Sequence, residues 1–175
     1  MKKKITLLPV LLLGGLLTTS SAMAVNTTHV YFKGKIVESA CGLSPDSIDQ
    51  LIQLGQQPIH IFKAKGDRSP SIPFNIKLTD CNTEIATQAV FTFGSNNDSS
   101  GQLFNVEGGA TGIGVRILHN GTPINNGDVA TTNSIVEGNN IASFSAAFEA
   151  NVDPLLVPIT SGTADSWALL QVTYL

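Results

Sequence analysis

The sequence predicts an all-β fold, and its periodicity and composition both point to it. Apolar and polar residues alternate in short runs, most clearly over 72–79, where Ile72, Phe74, Ile76 and Leu78 share one side. A period of two is typical of a strand with one buried face. Only 13% of the residues are charged, and Gly, Ser, Thr and Asn are abundant. This composition favours turns and β-branched strands over helices.

Residues 1–24 have the organisation of a secretory signal peptide. Three lysines at positions 2–4 form the positive n-region, residues 5–17 the apolar h-region, and Ala22-Met23-Ala24 an A-x-A cleavage site. The apolar run falls short of the ~20 residues that a membrane-spanning helix needs. We therefore expect a bacterial leader, export to the periplasm, and a mature chain of residues 25–175 that suits one domain.

Charge and motif content argue against several functional classes. The formal net charge is −3, and no Lys/Arg cluster follows the leader, which disfavours binding to nucleic acid or to an anionic membrane surface. His29, His60 and His119 lie far apart without the spacing of metal ligands. The chain contains no nucleophile elbow, phosphate loop or paired-carboxylate motif. We therefore expect no enzymatic activity and no cofactor.

Two cysteines, Cys41 and Cys81, follow the leader. In an exported chain one disulfide between them is favoured, and two buried free thiols are the alternative. Closing the loop between these positions would contribute roughly 4 kcal/mol in the chain-entropy model.

Seven or eight short strands are predicted, with spacing typical of an immunoglobulin-like sandwich. Residues 48–54 share a parity; a short helix is possible there, but flanking Gly and Pro favour a strand. Residues 59–61 are predicted as another short strand. The other predicted strands are 72–79, 87–93, 113–118, a short one within 125–140, 144–148 and 166–175. Asn120-Gly121 predicts a tight turn directly after the run 113–118.

The two ends of the mature chain carry strands of particular interest. Near the start, Thr28, Val30 and Phe32 alternate with polar or amphipathic neighbours. This strand precedes the first cysteine, so the residues alone leave open whether it pairs with its own domain or with another chain. In the last strand, positions 168, 170, 172 and 174 share one face, and no turn or further strand follows it.

Several motifs together resemble the pilin subunits of the chaperone–usher (type 1 fimbrial) family. At the start, residues 31–37 (YFKGKIV) lead to Ala40-Cys41, and at the end Gly162 precedes an alternating strand with Tyr174 as its penultimate residue. Internal segments match as well: the Cys41/Cys81 pair, 53–55 (QLG), 73–81, 112–115 (GIGV) and 144–148. The resemblance covers essentially all of the mature chain.

The resemblance implies an incomplete immunoglobulin-like fold that lacks its final strand and is completed by a donor strand from another chain. A periplasmic chaperone first fills the resulting groove, and at the outer-membrane usher the N-terminal extension of the next subunit replaces it. Residues 25–33 would then be the donor extension, with Thr28, Val30 and Phe32 as inserting residues. Residues 34–175 would be the pilin domain, and the product a fimbrium on the cell surface.

In the same resemblance, Gly162, Leu170, Val172 and Tyr174 belong to the groove and to the strand beside it that pairs with the chaperone. Family members usually have Gly where Thr28 aligns and a longer extension ahead of it, so a minor subunit (an adaptor or a terminator) is the alternative to a rod subunit. A sugar-binding adhesin is less favoured, because residues 25–175 leave no room for an additional lectin domain.

Overall fold

The computed structural model describes residues 27–34, 36 and 38–175. It divides into two units, Met1–Ile36 and Val37–Leu175. The predicted signal peptide and the first two residues of the predicted donor lie outside the described residues. Residues 27–34 form neither helix nor strand, so the strand predicted through Val30 is not formed within this chain. A single strand cannot satisfy its backbone hydrogen bonds without a partner.

The described part of the second unit is a sandwich of two antiparallel sheets, as the sequence predicted. Its strands are β1 (Gly42–Leu43), β2 (Ile72–Cys81), β3 (Gln88–Gly94), β4 (Ile113–His119), β5 (Thr122–Ile124), β6 (Val129–Ser134), β7 (Gly138–Ala150) and β8 (Leu169–Tyr174). One sheet has the order β1-β2-β7-β4-β5 and the other the order β6-β3-β8. The strand β8 is therefore at the edge of the smaller sheet.

Two of the predicted strands are wrong. Residues 48–54 form no strand, and Ile59–Ile61 is a 3-10 helix in which the Phe62 N–H donates to the Ile59 carbonyl at 3.0 Å. Local geometry explains part of this result, because Gly55 has a φ of 70° and interrupts an extended chain. The rest is tertiary, since no described strand lies beside this segment to pair with it.

The strand β7 is much longer than the predicted 144–148 and lies at the centre of the larger sheet, between β2 and β4. Strand alternation is weak at its end, where residues 146–150 are all buried. A strand covered on both faces loses the period of two, which is why the pattern underestimated its length. The predicted tight turn is confirmed, with positive φ at Asn120 (50°) and Gly121 (78°) between β4 and β5.

Four phenylalanines form the centre of the core between the sheets: Phe74, Phe91, Phe93 and Phe144. The rings of Phe93 and Phe144 meet edge to face with centroids 5.0 Å apart. Each such pair adds about 0.5–1.5 kcal/mol beyond area burial. The disulfide between Cys41 and Cys81 is formed and buried, so the favoured pairing is confirmed.

Candidate functional site: a groove beside an edge strand

A groove of about 1360 Å³ opens into the sandwich. Residues 47–57 line it on one side and residues 159–170 on the other. Core side chains form its floor, from both sheets and from the segments around residues 62 and 104, among them Phe62, Phe74, Ile76, Phe93, Phe104, Val115, Ile117 and Phe148. Such a long apolar floor between two walls suits an extended apolar segment better than a small polar ligand.

The backbone of β8 presents unpaired groups at its outer edge. Leu175 and Gln88 exchange two backbone hydrogen bonds, at 2.9 and 3.0 Å. Bonded and non-bonded pairs alternate along an antiparallel ladder, so the bonds to β3 recur at every second residue of β8. The backbone groups of Leu170, Val172 and Tyr174 therefore point away from β3, where no described strand pairs with them.

The same three residues direct their side chains inward. Leu170, Val172 and Tyr174 are half-buried against the core, whereas Gln171 and Thr173 are exposed. This alternation agrees with the predicted faces of the last strand. Leu170 lines the groove itself, while the other two lie farther along β8, outside its lining. Burial raises the pKa of Tyr174, and a hydrogen bond with Ser39 opposes that rise only in part, so its phenol stays neutral.

The opposite wall also has free backbone groups. Residues 49–57 make no backbone–backbone hydrogen bond within the described chain. The side chain of Gln50 anchors this segment by donating to the carbonyls of Asp46 at 2.9 Å and Asn75 at 2.8 Å. Ile52 and Leu54 are half-buried and line the groove. The alternation of residues 48–54 predicted a strand in this segment, but it did not predict that its backbone would stay without a strand partner.

Gly162 lies in the wall where two backbone segments approach closely. Residues 160–165 are bridged to 107–111 through Thr111–Thr160 and Glu107–Asp165. A Cβ at Gly162 would lie 2.6 Å from the Cα of Gly109, closer than real Cβ contacts allow. Only glycine fits at this position, and it allows residues 160–165 to pack directly against residues 107–111.

The predicted donor residues are exposed in the described part of the first unit. Val30 is 68% exposed and Phe32 is 91% exposed, and Thr28 is exposed as well. Tyr31, of the opposite parity, is 82% exposed, so neither face of this segment is buried within the described chain.

Other types of site find no support in the residues that the structure describes. They contain no group of His, Cys, Asp or Glu arranged to hold a metal ion. Across the same residues, none of the helices has the length and apolar character needed to cross a membrane.

The chain matches the family model described as fimbrial protein over residues 30–175. It is 34% identical over 141 residues to the fimbrial-like protein SfmA of Escherichia coli K12, an alignment that covers 75% of this chain and 78% of that protein. It is 31% identical to the type 1 fimbrial subunit of Klebsiella pneumoniae, with 98% of this chain and 99% of that one covered.

Solved structures show the same fold. The P pilus rod subunit PapA superposes with a TM-score of 0.67 at 21% identity, covering 78% of this chain and all of that one. A subunit from the structure of a chaperone–usher pilus gives a TM-score of 0.68 at 22% identity, covering 89% of this chain and all of that one. These likenesses place the sandwich among the immunoglobulin-like folds.

Proposed function

This chain belongs to the family of fimbrial proteins, and we propose that it is a structural subunit of a surface fimbria that polymerises by donor-strand exchange. The observation that carries the proposal is the unpaired edge of β8 beside an apolar groove. The family is one of structural proteins, which agrees with the expectation that the chain is not an enzyme.

A strand added beside β8 would complete the smaller sheet. Its backbone would pair with the outward groups of Leu170, Val172 and Tyr174, and alternate side chains would enter the groove. In this mode of recognition, main-chain hydrogen bonds provide affinity, and the pockets for alternate side chains fix the register. Residues 49–57 on the opposite wall offer the added strand a second set of backbone groups.

The donor in the fibre is residues 25–33 of the next subunit. Val30 and Phe32 share one face and insert, each burial contributing ~1.5–3 kcal/mol before ordering costs. Thr28, two residues before Val30, lies on the same face. Because each subunit uses one surface to donate and another to accept, the contact is head-to-tail and produces an open filament.

Before polymerisation, a periplasmic chaperone occupies the groove and delivers the subunit to an outer-membrane usher. An apolar groove beside an unpaired strand edge is an aggregation hazard, so the subunit needs a temporary partner after export. The predicted signal peptide places that encounter in the periplasm, and the completed fimbrium lies on the cell surface.

A minor subunit is the second candidate, favoured by Thr28 and by the few residues ahead of it. Electron microscopy of cells with and without this chain separates the two roles. Loss of all fibres on deletion indicates a rod subunit, whereas a change in fibre length or number indicates an adaptor or a terminator.

The central test grafts residues 25–33 behind Leu175 through a flexible linker. Filling the chain's own groove should give a soluble monomer that melts well above the ungrafted chain and needs no chaperone. Phe32→Asp in the graft should abolish the gain, because a carboxylate would enter an apolar groove. Tyr31→Asp is the matched control, since Tyr31 has the opposite parity and should leave the gain intact.

A grafted chain that melts no higher than the ungrafted one would show that residues 25–33 are not the donor. Equal losses from Phe32→Asp and Tyr31→Asp would contradict the proposed register. Deleting residues 25–33 supplies the complementary result: the shortened chain should still bind the chaperone but form no fibre.

A further inference from the structure

The loop over residues 155–157 exposes three consecutive apolar side chains. Leu155 is 88% exposed, Leu156 is 80% exposed, and Val157 is more than half exposed. The loop is nevertheless ordered by hydrogen bonds, since Asp153 accepts from the Leu155 N–H through its carboxylate and from the Leu156 N–H through its carbonyl, both at 3.0 Å. A run of exposed apolar residues on a well-formed loop indicates an interaction surface.

A second exposed apolar cluster consists of Ile85, Val136 and Leu175, which we call the disulfide-end patch. Backbone bonds around Thr87 hold these segments together. The Thr87 N–H donates to the Leu175 carbonyl at 2.8 Å, and the Thr87 carbonyl accepts from the Ile135 N–H at 3.0 Å. The three side chains therefore come from neighbouring segments at one end of the domain.

The chain enters the domain beside this patch. Among the described residues of the domain, Ala40 is the first that is buried, and its carbonyl accepts a hydrogen bond from the Asn82 N–H at 2.7 Å. Asn82 belongs to the turn that carries Ile85, directly after Cys81. The chain before residue 40 therefore joins the domain near the disulfide-end patch.

The 155–157 loop and the disulfide-end patch lie at opposite ends of the domain. Gly138, the first residue of β7, pairs with Cys81 at the disulfide end, and Ala150, its last residue, pairs with Ile113. The strand between them is roughly 40 Å long at about 3.3 Å per residue. The loop follows from Asn151, whose N–H donates to the Gly112 carbonyl at 3.1 Å.

The direction of the donor determines which end of one subunit meets the next. All strand pairs in the described sheets are antiparallel, and antiparallel pairing is the more stable arrangement. A donor antiparallel to β8 begins at the disulfide end and leaves the groove beside Gly162, next to the 155–157 loop. Only residues 34–39 then connect the end of this donor to Ala40 of the subunit that donates it. Such a connection spans at most about 25 Å.

We propose that the 155–157 loop of one subunit docks on the disulfide-end patch of the next subunit in the fibre. This inference rests on the proposed function and adds a contact between domains to the strand exchange. Both surfaces are apolar. The short connection brings the 155–157 loop of one subunit close to the disulfide-end patch of the next. The partner of each surface is therefore a second copy of this chain. The contact fixes the angle between successive domains and so stiffens the fibre.

The test is chemical cross-linking of intact fibres that carry Leu156→Cys together with Val136→Cys. A short bismaleimide linker should produce a ladder of covalent multimers that survives boiling in detergent. Leu156→Cys combined with Thr122→Cys is the matched control, because Thr122 is exposed on β5 at the side of the domain, and it should produce no ladder. The pair of substitutions in a chain lacking residues 25–33 should also produce none.

A second measurement uses Leu155→Ser with Leu156→Ser, which changes only exposed side chains. Fibres of this variant should form but show a persistence length at least about twofold shorter in electron micrographs, as expected when a domain contact is lost. Val129→Ser, an exposed apolar residue on β6, is the control and should leave stiffness unchanged.

Fibres without a Leu156–Val136 ladder, or with unchanged stiffness in the double serine variant, would overturn the docking and leave donor-strand exchange intact. Absence of fibres from the unmodified chain would instead overturn the proposed function. The two failures are therefore distinguishable.

Discussion

Arg116 on β4 and Glu149 on β7 form a buried ion pair with two parallel hydrogen bonds. Arg116 Nη2 donates to Glu149 Oε1 at 2.7 Å, and Arg116 Nε donates to Glu149 Oε2 at 3.0 Å. Arg68 donates to the same Oε2 from the surface side. Burial alone would raise the pKa of Glu149, but the hydrogen bonds and charges of Arg116 and Arg68 outweigh it and lower that pKa below the usual value of 4.5.

This pair predicts acid sensitivity. Because the folded pKa of Glu149 lies below the unfolded value, the pair's contribution is complete above the unfolded pKa and is lost as pH falls through the folded one. The free energy of unfolding of the self-complemented chain, measured in urea from about pH 7 to about pH 3, should fall below about pH 4.5. Glu149→Gln should flatten part of that decline. An unchanged pH profile in this variant would contradict the assignment.

Removing the arginine should cost more than removing the surface partner. Arg116→Met leaves Glu149 buried with only Arg68 to compensate its charge, so we expect a loss of about 3–5 kcal/mol in the free energy of unfolding. Arg68→Met is the matched control and should cost less, because the Arg68 side chain is partly exposed. Equal costs for the two variants would show that burial of Arg116 does not govern the pair.

The disulfide should contribute substantially to stability. Cys41 and Cys81 are separated by 40 residues, and opening that loop in Cys41→Ser with Cys81→Ser should cost about 4 kcal/mol. Urea unfolding of the self-complemented chain measures the loss. Thiol titration of the denatured, unreduced wild type is the control and should detect no free thiol. A loss well under 1 kcal/mol would mean that the rest of the core holds these segments together.

The outward backbone groups of β8 can be tested one at a time. Val172→Pro removes an N–H that faces away from β3, so the β3–β8 ladder should persist while one hydrogen bond to the partner strand is lost. A net contribution of about 0.5–1.5 kcal/mol per bond predicts a chaperone complex about twofold to tenfold weaker.

Val172→Thr, which keeps the N–H and the branched shape, is the control for co-purification with the chaperone. Thr173→Pro, in contrast, removes an N–H that bonds to β3 and should impair folding itself. If Val172→Pro and Val172→Thr co-purified equally well with the chaperone, β8 would not be the pairing strand.

The sequence by itself determined the strands whose stabilising environment is local and one-sided. Alternation identified residues 72–79 and the inward face of Leu170, Val172 and Tyr174, because a half-exposed strand shows its two faces in its residue types. The turn at Asn120-Gly121 was equally readable, since positive φ strongly favours Asn and Gly. Cysteine content and the leader sufficed to favour the disulfide.

Only the tertiary structure decided what depends on neighbours. Strand formation requires a partner, so the parity of residues 48–54 could not reveal that this segment stays unpaired beside the groove. Arg116 and Glu149 lie far apart in the sequence, so only the pairing of β4 with β7 brings their charges together. The same holds for the edge of β8: the pattern identified its residues, but which backbone groups remain free follows from hydrogen bonds that only the assembled sheet defines.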